Sequence, residues 1–223
     1  MNKELEEYQK NMSIKRRAYA QARAILHRAK SAGIPSKYMR LKQDELEAVL
    51  DPNYHQDPKA FAELIYKQPK FLFQKPFIII DGGNIYSRKI AGFAILFRMI
   101  ACDRYGTYYD TNQLCGEFQT IKYGGENRND IVANLKAADL LFLGEYSYKL
   151  FKAGFESGKF FDQLLEHRDD YQRPTIVTFS QPLQGKDRSY TGNAIYDDVS
   201  GNYFAMLSQA DLQDNNVIRI RVK

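Results

Sequence analysis

The stretch that most constrains this chain runs from Phe77 to Leu96, FIIIDGGNIYSRKIAGFAIL. Four apolar residues, Phe77 to Ile80, read as a buried strand; a Gly-Gly-Asn turn follows, then an apolar run at helical spacing through Ile90, Phe93, Ala94 and Phe97. A strand, a glycine loop and a helix are the context in which backbone N–H groups and a helix N-terminus cradle phosphate. The pattern G-x-x-x-x-G-K-[ST] adds a Lys against the phosphates and a hydroxyl on Mg²⁺. Framed from Gly82, that pattern finds Ser87 in the second Gly slot, Arg88 in the Lys slot and Lys89 in the hydroxyl slot. The scaffold of a phosphate loop is present with its chemistry replaced.

A chain of 223 residues, 44% of them apolar, can bury the core of one α/β domain and still carry an extension. The net charge of +5 suits a polyanionic partner. Cys102 and Cys115 show neither CxxC spacing nor a nearby His cluster, so they read as unpaired thiols of a reducing compartment and no metal is expected. No apolar run reaches the roughly 18 residues of a membrane span. The charged N-terminus lacks a signal-peptide core, and the expectation is a soluble, cytoplasmic protein without a membrane partner.

Asn2 to Ala32 reads as a charged helix with an imperfect apolar stripe that includes Tyr8, Met12, Tyr19, Ile25 and Leu26, with Lys and Arg crowding the remainder. Such an extension lacks an obvious home core. Its stripe is the candidate for gripping a partner protein, its basic face for a phosphate backbone. His27 reads as a surface residue. Gly33-Ile34-Pro35 ends the helix, dividing the chain into an extension, 1–32, and a domain, 33–223. Tyr38 and Met39 begin an irregular segment. Helices are expected at Asp44–Leu50 and Pro58–Lys67, the latter with Asp57 as N-cap.

Further strands are expected at Gly106–Tyr109, Asp139–Glu145, Pro174–Ser180 and Val217–Val222, the last half-exposed. The intervening helices are Asp130–Ala138 and Lys149–Arg168, the second interrupted between Gly154 and Gly158. Ile121–Asn129 reads as a polar, mobile loop. Strands alternating with helices imply a parallel sheet wound on both faces, with its crevice at the strand C-termini. In a nucleoside triphosphatase a second buried strand ends in an Asp for Mg²⁺ and a Glu for the attacking water. Here the strand LLFLGEY puts Gly144 in the Asp slot and leaves only Glu145, and Ser180 ends the neighbouring strand, where the γ-phosphate is sensed. Losing both metal anchors should abolish Mg²⁺-dependent hydrolysis. No catalytic residue is therefore expected, Glu145 being vestigial. Gly82, Gly83, Ser87, Arg88, Lys89 and Ser180 form a vestigial nucleotide site.

Arg28-Ala-Lys-Ser-Ala-Gly33-Ile34-Pro35-Ser-Lys-Tyr38 ahead of that loop resembles the replicative-helicase loaders and transposition helpers, the DnaC/IstB type of AAA+ proteins. So do the strand Ala138–Leu143, the pair His167-Arg168, and Arg173-Pro174-Thr175 leading into Ile176–Ser180. These matches run in order from about Arg28 to about Leu183. The chain departs from the family at Ser87, Arg88, Lys89 and Gly144, and no arginine finger is placed, Arg188 being the nearest candidate. The resemblance implies an α/β fold, a P-loop NTPase (AAA+-like) parallel sheet with flanking helices behind an N-terminal helical extension. It implies a replicative helicase or related AAA+ protein as partner, and single-stranded DNA as a second. A diverged relative encoded by a phage or mobile element fits it.

Three functions are in view. The first is a helicase-loader-like replication adaptor without ATP hydrolysis. The second is a working ATPase with unorthodox ligands, Arg88, Lys89 and Glu145. The third is a structural subunit of a DNA-processing complex. No cofactor is expected, with ATP or ADP the nucleotides the loop could still take. Candidate DNA contacts are Lys122, Tyr123 and Arg128 in the loop, and Lys186 and Arg188 further on, with Tyr123 as a stacking platform.

Overall fold

The computed structural model describes residues 2–120, 126–146, 155–179 and 217–223. Five strands form one parallel sheet: β1 (Phe77–Gly82), β2 (Gly106–Asp110), β3 (Leu140–Tyr146), β4 (Thr175–Phe179) and β5 (Val217–Val222). Their order is β2-β3-β4-β1-β5, so β4 is central with β1 between it and β5, and β2 and β5 form the edges. The helices are α1 (Asn2–Ser31), α2 (Gln43–Val49), α3 (Pro58–Lys67), α4 (Ile85–Ala101), α5 (Thr111–Thr120), α6 (Glu126–Ala137) and α7 (Phe155–Asp170).

Strand periodicity divides the core in two. Ile78 and Ile80 of β1, Phe142 of β3 and Ile220 of β5 point to one face, where they meet α4 residues such as Phe93 and Leu96 and the N-terminal helices. Phe77, Ile79, Leu141, Leu143 and Val177 point to the other, against Leu114 of α5, Leu135 of α6 and Phe161, Leu164 and Leu165 of α7. This is the doubly wound sheet that the alternation of elements predicts. The order gives an α/β fold, a five-stranded parallel sheet with flanking helices behind an N-terminal helix. Among the described residues no helix is long and apolar enough to cross a membrane.

The helix ends follow their sequences. Asp57 caps α3 by accepting from the Ala60 N–H at 2.8 Å. Gly33, at φ +80°, closes α1 in a Schellman turn: its N–H reaches Lys30 O, and the Ile34 N–H reaches Ala29 O. Ala29, Ala32 and Ile34 are buried there, and Ala32 O accepts from the N–H of Tyr108 on edge strand β2. The root of α1 thus has a home core, which its sequence did not suggest.

Three expectations are corrected. Tyr38 and Met39 are the buried residues of a 3-10 helix, Ser36–Arg40, and the Tyr38 ring stacks on Phe93 at 4.6 Å. Helix α6 covers Glu126–Ala137, so the C-terminal end of the mobile loop expected over Ile121–Asn129 is helical, and the rest of that loop, 121–125, lies outside the described residues. Helix α7 runs through Gly158 without a break: one interior glycine costs only about 1 kcal/mol, against a face that buries Phe161, Leu164 and Leu165. The start of that expected helix, Lys149–Gly154, lies outside the described residues.

Candidate functional site: a closed glycine loop and an exposed arm

Only Gly83 and Asn84 separate β1 from α4. A phosphate loop needs a longer arch, so that its N–H groups converge on a hollow. Here the helix begins at Ile85, which places Ser87, Arg88 and Lys89 in its first turns. The Asn84 side chain takes the helix N-terminus for itself, accepting from the N–H groups of Tyr86 at 2.8 Å and Ser87 at 3.0 Å. Gly82 (φ +81°) and Gly83 (φ +49°) are needed both for their backbone conformation and for lack of space: a Cβ would stand 2.5 Å from Val222 O and 2.6 Å from Lys223 O. The end of β5 therefore lies directly against the turn, and the Ser87 hydroxyl donates to Lys223 O at 2.8 Å.

Arg88, expected as part of a vestigial nucleotide site, instead turns inward and is 4% exposed. Its Nε and Nη2 make a forked pair with Glu145, at 3.0 Å to Oε1 and 2.7 Å to Oε2, and Nη1 donates to the carbonyls of both Gly82 and Gly83 at 2.9 Å. Glu145 is buried too. Its backbone sits at φ +55°, a region costly for a non-glycine residue, held there by its own N–H donating to Thr178 Oγ1 at 2.7 Å. Glu145 is thus occupied as the counter-ion of Arg88, each of its carboxylate oxygens accepting from the guanidinium. Each charge buried alone would be costly; paired and fully hydrogen-bonded, the two are tolerated. Lys89 is half-buried.

The Asp slot is closed by a ring. A Cβ on Gly144 would lie 2.7 Å from Tyr108 Cε2 and 2.9 Å from its hydroxyl. Tyr108 is held by an aromatic cluster, with ring centroids 4.7 Å from Phe93 and 4.9 Å from Phe142. Burial raises the pKa of its phenol, with Asp110 and Glu145 adding, so it stays neutral. Mg²⁺ with a nucleotide does not fit these residues: the helix N–H groups are capped, the Lys slot is tied to the Glu slot, and the metal-anchor slot abuts a tyrosine. Among the described residues no cluster of His, Cys, Asp or Glu could hold a metal.

Beyond this closed turn, α1 forms an arm of roughly 45 Å. Tyr8, Tyr19 and Leu26 are exposed, and Met12 and Ile25 half-buried. His27 is exposed. The arm touches the body through its C-terminal end, where Arg28 pairs with Asp103 at 2.8 Å. Lys122, Tyr123, Ser180, Lys186 and Arg188 lie outside the described residues; Arg128 falls in the first turn of α6.

Three features escaped the sequence reading. Asn84 is an N-cap residue type immediately before a helix, a signal that was legible. Opposite charges at Arg88 and Glu145, in two slots that meet at the mouth of any such sheet, were legible too. Arg168 was not: it is fully buried, without a carboxylate, donating to the carbonyls of Leu135, Ala138 and Pro174 and to Thr175 Oγ1 at 2.8–2.9 Å.

No family model matches the chain, and no curated protein matches it. Among solved structures it is similar to the crystal structure of DnaI, at 14% identity and a TM-score of 0.46, over 82% of this chain and 95% of that one. It is also similar to the crystal structure of the DnaC helicase loader, at 13% identity and a TM-score of 0.48, over 82% of this chain and all of that one. At these values the likenesses decide nothing about activity, and the functional reading rests on the residues themselves.

Proposed function

We propose that the protein is a helicase-loader-like adaptor of DNA replication that works without nucleotide hydrolysis. The observation that carries the second half of this reading is the buried Arg88–Glu145 pair, which spends the acid of the Glu slot and the cation of the Lys slot on each other. The first half rests on the ordered resemblance from Arg28 to Leu183, with α1 as the element that reaches a replicative helicase through Tyr8, Met12, Tyr19, Ile25 and Leu26. Single-stranded DNA is the second partner of the assembly.

Calorimetric titration with ATP and ADP, with and without Mg²⁺, tests the closed turn: no heat of binding is expected. Mg²⁺-dependent binding with turnover abolished by Glu145→Gln would return the ATPase reading to the front. Pull-down of a hexameric replicative helicase by the intact chain, lost when residues 2–28 are deleted, tests the adaptor role. Failure of the intact chain to bind would end it.

A further inference from the structure

The charge of this protein is segregated. Residues 8–43 contain ten Lys and Arg and no Asp or Glu. The whole chain carries +5; setting aside this +10 and the net −2 of residues 1–7 leaves residues 44–223 at a net −3. The basic character that suggested a polyanionic partner therefore belongs entirely to α1 and the 3-10 helix behind it, and the α/β body is acidic. Of the ten cations, only Arg28 has a carboxylate partner among the ion pairs of the described residues. Lys10, Lys15, Arg16, Arg17, Arg23 and Lys30 are all exposed on α1, and Lys37, Arg40 and Lys42 continue the exposed series beyond the turn at Gly33. So many like charges on one rod repel one another, and among the described ion pairs Asp103 is the one carboxylate of the body that meets any of them.

Aromatic rings are interleaved with these charges. Tyr8 and Tyr19 are 63% and 74% exposed. They stand eleven residues apart, about three helical turns, and so share a face with Lys15 and Arg23, four residues to either side of Tyr19. Cations that track a phosphate backbone beside rings on which bases stack are the two components of a single-strand binding surface.

We infer that the nucleic-acid contact of this protein is the arm, α1 with Lys37, Arg40 and Lys42, and that the α/β body is not the contact. This deepens the adaptor reading, on which it rests for the presence of DNA, and it moves the contact away from Lys122, Arg128, Lys186 and Arg188. Phosphates are the occupant that charge complementarity selects, because counterion release rewards a run of unpaired cations on a polyanion.

The test is fluorescence anisotropy of a labelled 30-nucleotide single strand, and of the same sequence as a duplex, with the full chain between 50 and 200 mM salt. For about five phosphate contacts the logarithm of affinity should fall with the logarithm of salt at a slope near −3.5 on the single strand. Reversal of Arg16, Arg17 and Arg23 to Glu should weaken binding at least tenfold and flatten that slope by about 2. Should the reversals unwind α1, as circular dichroism would show, the same three positions as Gln keep helix propensity while removing the charge. Tyr8→Ala with Tyr19→Ala should weaken the single strand more than the duplex. Reversal of Lys122 and Arg128 to Glu should change affinity less than twofold. A flat salt slope, an arm reversal without effect, or an equal loss from the Lys122 and Arg128 variant overturns the inference. Helicase pull-down read on the same variants separates the two readings. DNA binding that depends on the arm without helicase capture sinks the adaptor and leaves the arm. Helicase capture with DNA binding indifferent to the arm does the reverse.

Discussion

Two buried arginines stand at opposite ends of the same sheet. Arg88, at the carboxyl ends of the strands, faces a carboxylate; Arg168, at their amino ends, faces only neutral oxygens. Arg168 closes the junction of three elements: the carbonyls of Leu135 and Ala138 terminate α6, and Pro174 O and Thr175 Oγ1 begin β4. A helix C-terminus carries partial negative charge, so these carbonyls serve as a distributed counter-ion. Burial pulls the guanidinium pKa down to about 9, which still leaves it protonated at neutral pH. The comparison separates a cation kept for architecture from a cation in a slot where chemistry would otherwise be done. The first needs many acceptors and no charge opposite; the second has consumed the charge that a reaction would have used.

Removing Arg168 is the largest blow. Arg168→Met keeps much of the volume but strands the buried carbonyls of Leu135 and Pro174 and the part-buried one of Ala138, at a cost on the order of 3–5 kcal/mol. Arg168→Lys rescues little, because one ammonium cannot span acceptors on two elements. Urea denaturation of both variants checks this, and a loss below about 1 kcal/mol would mean water replaces the side chain.

The pair at the other end behaves differently. Glu145→Ala leaves Arg88 buried without its counter-ion and should cost about 3 kcal/mol. Arg88→Met with Glu145→Leu should cost less than either single change, since neither charge then remains stranded. Additive losses in that double-mutant cycle would show that the two side chains act independently and that the closed turn is held by something else.

Gly144 gives the next, smaller effect. Gly144→Asp restores the carboxylate of a metal anchor but drives its Cβ into Tyr108. Overpacking of this kind costs about 1–3 kcal/mol. Thermal melts should show a lowered Tm that Mg²⁺ with ATP does not raise; a rise on adding both would mean that only the missing acid kept metal out.

How much of this the sequence could carry follows from what each signal depends on. The strands, their alternation with helices and the Gly33 and Asp57 caps are local patterns, and they were legible as patterns. The replaced slots at Ser87, Arg88, Lys89 and Gly144 were legible because a motif fixes their positions. What those residues do instead depended on neighbours distant in the chain. Glu145 lies 57 residues from Arg88, Tyr108 fills space beside Gly144 from the neighbouring strand, and Val222 and Lys223 close on Gly82 and Gly83 from the far end. Arg168 misled for a related reason: an Arg at a helix end reads as a surface cation or a family mark, and only the packing of α6 against α7 shows it buried. Charge segregation was in the sequence throughout, hidden by averaging it into one net value.

A third buried polar group extends the comparison to the edge of the sheet. His55, stacked on Phe61 at 4.7 Å, accepts at Nε2 from the N–H of Arg221 at 3.2 Å, supplying an acceptor where β5 has no further strand beside it. That bond requires neutral Nε2. Burial lowers the His55 pKa below its ordinary value, against the raising influence of the Asp51 and Asp81 carboxylates. Because the folded pKa lies below the unfolded one, the unfolded chain binds more protons between the two. The stability contributed by neutral His55 is therefore complete above about pH 6.5 and is lost as pH falls from there through the depressed folded value. Urea denaturation of the native chain and of His55→Gln at pH 7.5 and 5.5 measures this share. A Gln amide can offer a carbonyl oxygen to Arg221 at either pH, so the variant should lose less stability on acidification than the native chain. Equal losses would place the acid sensitivity in the carboxylates, and would leave Arg88 and Arg168 as the groups that decide how the ends of this sheet are held.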